Sequence, residues 1–456
     1  MTARGTVNLA LPAGPRSPAA WQLFAYSRTP LALLDENARR HGDTFTVRLA
    51  GYGQLVMLSD PSAVRDVFRG DPRVLHSGEG NEFLAASVGR NSVIVLDEEP
   101  HERQRRVLTP PLSGEAMRAH SDTIVEVTRE VMQGWEPGHT RTMLDSMRAI
   151  TLRVILRAVL GLAEPAAIAD LSGRVERALD LGRGQYGLIL VKILPVDLLL
   201  RTPGLPWRRH TRALDEALYA LLETQRAMSP AERGPSVLTD LLAARHADAR
   251  PLSDLEIRDA LVTSIFAGHD TTSVALAWAL EQIVPREDVV DRIRDELQRV
   301  TGGAPLRGEH VGRLEYLDAA IRESLRVRTI ISFVVRQTKQ PFTAGGREYP
   351  ADILLCPCNH LVHRREDLYP EPHAFRPERF LERRFGPHEW FPFGGGNRAC
   401  LGMAFAMNEM KLVLATILGG ATLARPPGAC SRPLRRGILL SPDDGVRVAV
   451  VAKPDE

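Results

Sequence analysis

The alternation of apolar and polar positions divides this 456-residue chain into a short β-rich opening and a long helical body. Thr44 to Leu49 and Gln54 to Ser59 read as strands flanking Gly51-Tyr52-Gly53, the pattern of a β-hairpin. Beyond them apolar residues recur at helical spacing over Pro61 to Arg69, Glu98 to Leu108, Gly114 to Trp135, Thr142 to Leu160, Arg208 to Ala227 and Pro285 to Val300. The longest run extends from about Ser253 to Ile283, and Ser253 followed by Glu256 reads as a capping box. A helix of about 30 residues spans roughly 45 Å. It would cross the whole molecule and be buried for much of its course.

From Leu314 the pattern changes. A helix over Leu314 to Val327 leads into strand-like Ser332 to Arg336 and Ile353 to Leu355, then an irregular Pro- and Arg-rich stretch from Arg364 to Trp390. Phe-Pro-Phe-Gly-Gly-Gly (391–396) precedes a cysteine and a helix from Cys400 to Leu418, and short strands at Arg435 to Leu440 and Val446 to Val451 close the chain. The expected fold is mainly α with small β-sheets. It is one domain over 1–456, with a β-rich lobe near 40–60 and 330–360, since no linker, repeat or low-complexity tract divides the chain.

Composition narrows the partners. A net charge of +2 gives no electrostatic footprint for nucleic acid. Met1 to Arg16 has no apolar run long enough for a signal peptide or membrane anchor. Leu188 to Leu200 is the most apolar stretch, interrupted by Lys192, Pro195 and Asp197; it reads as a buried or entrance-lining segment, with shallow membrane contact as the alternative. Four cysteines argue against a disulfide framework and fit a cytoplasmic protein. Cys356-x-Cys358 has no second pair at zinc spacing and reads as core packing.

The chemistry concentrates in Phe393-Gly394-Gly395-Gly396-Asn397-Arg398-Ala399-Cys400-Leu401-Gly402. Consecutive glycines let backbone take positive φ and approach a flat ligand. A thiol at a loop-to-helix junction is pulled toward thiolate by the helix N-terminus, and thiolate favours O–O cleavage on haem iron. Arg398 suits a haem propionate, and Gly402 leaves room for a macrocycle. From this loop alone, a structural cysteine weighs equally, and a nucleophilic thiol is a third reading.

The decapeptide resembles the cytochrome P-450 haem signature at every specified position: Phe393, Gly394, Gly396, Arg398, Cys400 and Gly402. Further matches follow in family order. Glu323 and Arg326 resemble the E-x-x-R pair, 74 residues before the cysteine, and Pro377-Glu378-Arg379-Phe380 resembles P-E-R-F, which makes Arg379 the third member of a structural charge cluster. Ala267-Gly268-His269-Asp270-Thr271-Thr272 resembles A-G-x-D/E-T. His101 and Arg105 match H-x-x-x-R, and Arg336, ending its strand, matches a second propionate-binding arginine. Thr329-Ile330 stands where many members have Pro-Pro, which bears on the path of Ile331 to Phe333.

The resemblance covers most of the chain and implies a long central helix over a haem b, with the cysteine loop and its helix beneath. Cys400 is then the iron ligand, and His101, Arg105, Arg336, Phe393, Arg398 and Gly402 hold the cofactor. Asp270 supplies protons for dioxygen activation, and Thr271 turns its hydroxyl onto a backbone carbonyl and opens the helix locally. His269 reads as a satisfied core histidine. Ala267, Ile331 and Phe333 line the pocket of a small hydrophobic substrate. The implied reaction is hydroxylation or epoxidation, in secondary metabolism, by a monomeric enzyme. Only 56 residues follow Cys400, so electrons are expected from a separate ferredoxin, docked in part by Arg103 and Arg106. The alternatives are a peroxide-using or isomerising haem-thiolate enzyme, and a non-catalytic haem-binding sensor.

Overall fold

A computed structural model describes residues 10–112, 119–183, 206–229 and 232–452. Its architecture is mainly helical with small sheets, and the helix Asp254–Ile283 is its axis. Ser253 and Glu256 form the capping box: the Ser253 hydroxyl accepts from the Glu256 N–H at 3.3 Å, while the Glu256 carboxylate accepts from the Ser253 N–H at 2.8 Å. Every residue from 272 to 283 is buried, Thr272, Ser273, Glu281 and Gln282 among them, so this half has no solvent-facing side. This half packs within a core shared with the helices Met143–Leu160 and Met403–Gly420. At Gly268 an added Cβ would lie 2.9 Å from the Ile155 side chain, so glycine permits the close crossing of the Met143–Leu160 helix.

The β-lobe is a five-stranded sheet in the order Thr44–Leu49, Gly53–Leu58, Leu354–Pro357, Arg336–Thr338, Leu75–His76. The first pair is the antiparallel hairpin expected from the glycines, with Thr46 opposite Val56. The next pairing is parallel, Val56 opposite Leu355, and joins residues some 300 positions apart. Arg336 lies opposite Leu355, at the start of its strand rather than at its end. Residues 332–335 are irregular; their backbone bonds run instead to Pro357 and His360.

Other boundaries also shift. The helix Glu98–Leu108 has the expected ends. The helix after the cysteine begins at Met403, so Cys400 lies in a turn before it. Arg435 to Leu440 is not one strand but the turn of a hairpin, Pro433–Arg436 against Leu439–Pro442, with Gly437 at φ +60°. Of Gly114 to Trp135, Ser121–Gln133 is helix and residues 114–118 lie outside the described residues. Leu188 to Leu200 lies wholly outside them. Ala19–Arg28, Pro30–His41 and Pro165–Arg183 are helices that periodicity did not single out. Among the described residues, one helix, Met403–Gly420, is long and apolar enough to cross a membrane, and most of it is buried in the core.

Candidate active site

The cysteine loop is shaped by close approach. Gly394 and Gly396 take φ of +67° and +66°, and a Cβ on Gly396 would sit 2.1 Å from the Phe68 carbonyl oxygen. Only glycine satisfies both constraints. The Cys400 N–H donates to the Phe393 carbonyl at 2.9 Å, closing the loop and turning the thiol into a cavity of about 510 Å³. Burial pushes the Cys400 thiol up, while the Gly402 N–H and the Arg105 charge pull it down. A Cβ on Gly402 would stand 4.0 Å from the Cys400 sulfur.

The long helix lines the same cavity with Ala267, Gly268, Asp270 and Thr271. The Thr271 hydroxyl donates to the Ala267 carbonyl, as expected, but the helix is continuous there and is not opened. Asp270 is buried, with Oδ1 3.5 Å from Arg148 Nε and 3.9 Å from His269 Nε2. His269 is fully buried, and its Nδ1 is bonded to the Thr151 hydroxyl at 2.9 Å. Arg148, from the neighbouring helix, escaped sequence reasoning. Nothing in its local pattern distinguishes it from a surface arginine.

A cluster of cations borders the loop. Arg105 donates to the Ala399 carbonyl at 2.9 Å, and Arg336 to the Gly395 carbonyl at 3.1 Å. Arg398 reaches the Leu96 carbonyl at 2.7 Å and pairs with Asp97. Asp97 was also missed; its oxygens accept from the N–H groups of Ser77, Gly78 and Glu79, each at 2.9 Å. Burial, then the charge of Arg398, brings Arg336 down to about 9, and burial brings Arg398 down to about 10. His101 is pushed down to about 4 by burial and by Arg398 and Arg105, so it is neutral at pH 7. Arg398 Nε is buried without a partner among the described residues. One carboxylate thus faces several crowded cations, an edge that further anionic groups would stabilise.

Behind the loop, Arg326 grips both Glu323 oxygens at 2.7 and 2.8 Å, and Arg379 donates to Glu323 Oε1 at 2.9 Å. Arg326 also donates to the carbonyls of His363, Pro372 and Ala374, which ties down the irregular stretch leading to the loop. Ile331 and Phe333 line the cavity, and the Ile330 carbonyl accepts from the Leu440 N–H at 2.8 Å. That contact with the C-terminal hairpin sets the path of the segment despite the missing prolines. Cys356 and Cys358 are buried in an apolar cluster, and among the described residues no group of three or more potential ligands could hold a metal ion.

A thiol in a tight loop, an acid and an alcohol on a crossing helix, and a cationic edge on one apolar cavity define a thiolate-ligated haem protein. The residues fit that group by the chemistry of the donors and by the glycine approach at the sulfur. The Cytochrome P450 family model matches residues 12–445. Cytochrome P450 135B1 of Mycobacterium tuberculosis is 34% identical over 458 residues, covering 99% of this chain and 93% of the relative. Cytochrome P450 135A1 of the same species is 34% identical, covering 98% and 96%. The retinoic acid-bound cyanobacterial CYP120A1 superposes with a TM-score of 0.82 at 23% identity, over 97% of this chain and 99% of that one. The chain belongs to the cytochrome P450 family. It is a haem b monooxygenase, an oxidoreductase that acts on a hydrophobic substrate with a redox partner.

Proposed function

We propose that Cys400 is the thiolate ligand of the haem iron and that the enzyme inserts one oxygen atom of dioxygen into a small hydrophobic organic molecule, by hydroxylation or epoxidation. The observation that carries this is the opening of Cys400 and the Asp270–Thr271 pair onto one cavity. When bound, the haem supplies dioxygen activation, and thiolate ligation favours O–O cleavage.

The chain's own residues do the rest. His101, Arg105, Arg336 and Arg398 would hold the propionates, with Phe393 and Gly402 against the macrocycle. The Glu323–Arg326–Arg379 cluster keeps the loop in register. Arg148 beside Asp270 holds that carboxylate at the cavity, where it relays protons. Thr271 spends its own proton on the Ala267 carbonyl, so its oxygen lone pairs are left to accept a hydrogen bond from the cavity side. Ala267, Ile331 and Phe333 shape the substrate space.

Residues 1–456 act as a single catalytic domain, a monomeric cytoplasmic enzyme of secondary metabolism. Its electrons come from a ferredoxin, met in part by Arg103 and Arg106. Arg106 is exposed, whereas Arg103 is half-buried and lies 3.8 Å from Glu99, which tempers its charge. Unchanged ferredoxin-supported turnover after charge reversal at both arginines would count against that docking site.

Reduced protein under carbon monoxide should show the red-shifted Soret band of thiolate ligation, and Cys400→Ser should lose it. Product formation that needs reductant and dioxygen separates this reading from peroxide use or isomerisation. Haem binding with no product from any donor would mark a sensor.

A further inference from the structure

The cations that line the cavity fall into two groups and a remainder. Arg105, Arg336 and Arg398 surround the cysteine loop, and Arg148 stands beside Asp270. Arg436 and Arg435 belong to neither, and of the two only Arg435 is buried. It lies on the strand Pro433–Arg436, in a hairpin pinned from two sides through Leu440: the Leu440 N–H donates to Ile330, and its carbonyl accepts from the Trp278 indole at 2.8 Å. The guanidinium therefore sits on rigid backbone. It is 6% exposed, yet it lines the main cavity.

Its surroundings belong to the N-terminal lobe rather than to the cysteine loop. The guanidinium carbon lies 4.8 Å from the centre of the Tyr26 ring, and Nη1 donates to the Ser27 hydroxyl at 3.3 Å. Ser27 in turn donates to the Leu23 carbonyl at 2.8 Å, which leaves its oxygen to accept from Arg435. The Tyr52 hydroxyl also hydrogen-bonds to Arg435. Among the described residues no carboxylate lies within 4.0 Å of it. A guanidinium has five N–H donors in a planar fork, and these neutral partners use only part of them. A buried cation without a counter-charge is costly, and the Tyr26 ring offsets a part of that cost.

We propose that Arg435 anchors a carboxylate of the substrate, so that this enzyme oxidises an amphipathic carboxylic acid held by its charged end at the α-helix Ala19–Arg28 with its apolar body toward Cys400. This rests on the reading of the cavity as the oxygenation chamber. The fork of the guanidinium matches a carboxylate through two parallel hydrogen bonds. Burial raises the phenols of Tyr26 and Tyr52, the latter to about 12, so both stay protonated and can donate to the same anion. Phe83 packs edge-on to Tyr52 at 5.9 Å and, with Ile438 on the hairpin turn, gives the start of the apolar path. Anchoring at one end decides which carbons reach the reacting centre, so Arg435 would set regioselectivity as well as affinity.

The test uses the haem-loaded protein and matched ligands: decanoic, dodecanoic, hexadecanoic, farnesoic and 4-phenylbutyric acids, each with its methyl ester and its alcohol. Dissociation constants come from the spin-state shift of the Soret band, with equilibrium dialysis for ligands that leave the band unmoved. At least one acid should bind about tenfold or more tightly than its ester and alcohol, the increment of one good charge-assisted pair. Arg435→Gln should remove that preference while ester binding stays within about twofold, and Arg435→Lys should keep part of it. The proposal is overturned if no acid outbinds its ester in the wild type, or if the preference survives Arg435→Gln. Should that variant not fold, an undiminished preference in Arg435→Lys overturns it equally. A wild-type protein without the thiolate band under carbon monoxide would sink the oxygenation reading itself, whereas an intact band without acid preference sinks only the anchor.

Discussion

Replacing Glu323 by glutamine keeps the volume of the side chain and removes its charge from a site where it and Arg326 are fully buried and Arg379 nearly so. The carboxylate accepts four hydrogen bonds: two from Arg326, one from Arg379 and one from the Arg376 N–H at 2.9 Å. Glutamine offers one carbonyl oxygen and turns an NH₂ donor toward a guanidinium. Two cations are left with neutral carbonyls as partners. Breaking a buried pair at one member costs about 3–5 kcal/mol. At an unfolding entropy of about 2.1 cal/mol/K per residue, a chain of this length loses about 1 °C of melting temperature per kcal/mol, or about 3–5 °C in all. The damage is expected to concentrate where the cluster acts. Arg326 holds the carbonyls of His363, Pro372 and Ala374, and that stretch delivers the loop that carries Cys400. Haem content and the thiolate band under carbon monoxide should therefore fall further than global stability does. Melting within 1 °C of the wild type, together with full haem content, would refute this reasoning.

Four further outcomes can be measured. Gly396→Ala forces a side chain onto a backbone at φ +66° and against the Phe68 carbonyl at 2.1 Å, so haem incorporation should drop sharply; wild-type incorporation would show that the loop is free to shift. Asp270→Asn should lower turnover by about 10²-fold or more with haem content unchanged, and a loss under tenfold would remove the carboxylate from proton delivery. His360 is brought down to about 4 by burial and by Arg364, which donates to its Nδ1 at 2.8 Å while Nε2 faces Asp35 at 2.7 Å. The unfolded chain therefore binds the extra proton between about pH 6.5 and 4, and stability falls with pH across that window by up to about 1.4 kcal/mol per unit. Urea denaturation at pH 7 and pH 5 should show a smaller decline in His360→Gln than in the wild type, and equal declines would contradict the assignment. Cys358, raised to about 12 by burial, should resist alkylation in the folded protein at pH 8, and rapid labelling there would place it elsewhere than in the core.

Local chemistry made much of this protein legible in one dimension. The capping box at Ser253, the helix Glu98–Leu108 and the hairpin around Gly51 follow from contacts within a few residues, which composition and spacing specify directly. The Gly-rich loop was legible for the same reason, since its glycines answer a local backbone demand at φ +67° and +66°. Partners drawn from distant segments were not. Asp97 meets Arg398 across 301 positions, Ser27 meets Arg435 across 408, and Arg148 stands beside Asp270 only because the two helices cross where Gly268 lets them approach. No periodicity encodes such pairs, because each depends on where packing places whole helices and strands. The sequence by itself determined the cysteine loop, the Asp270–Thr271 pair and the elements that carry them. The tertiary structure alone decided which charges meet, which stay open to the cavity, and so what kind of molecule the cavity is built to hold.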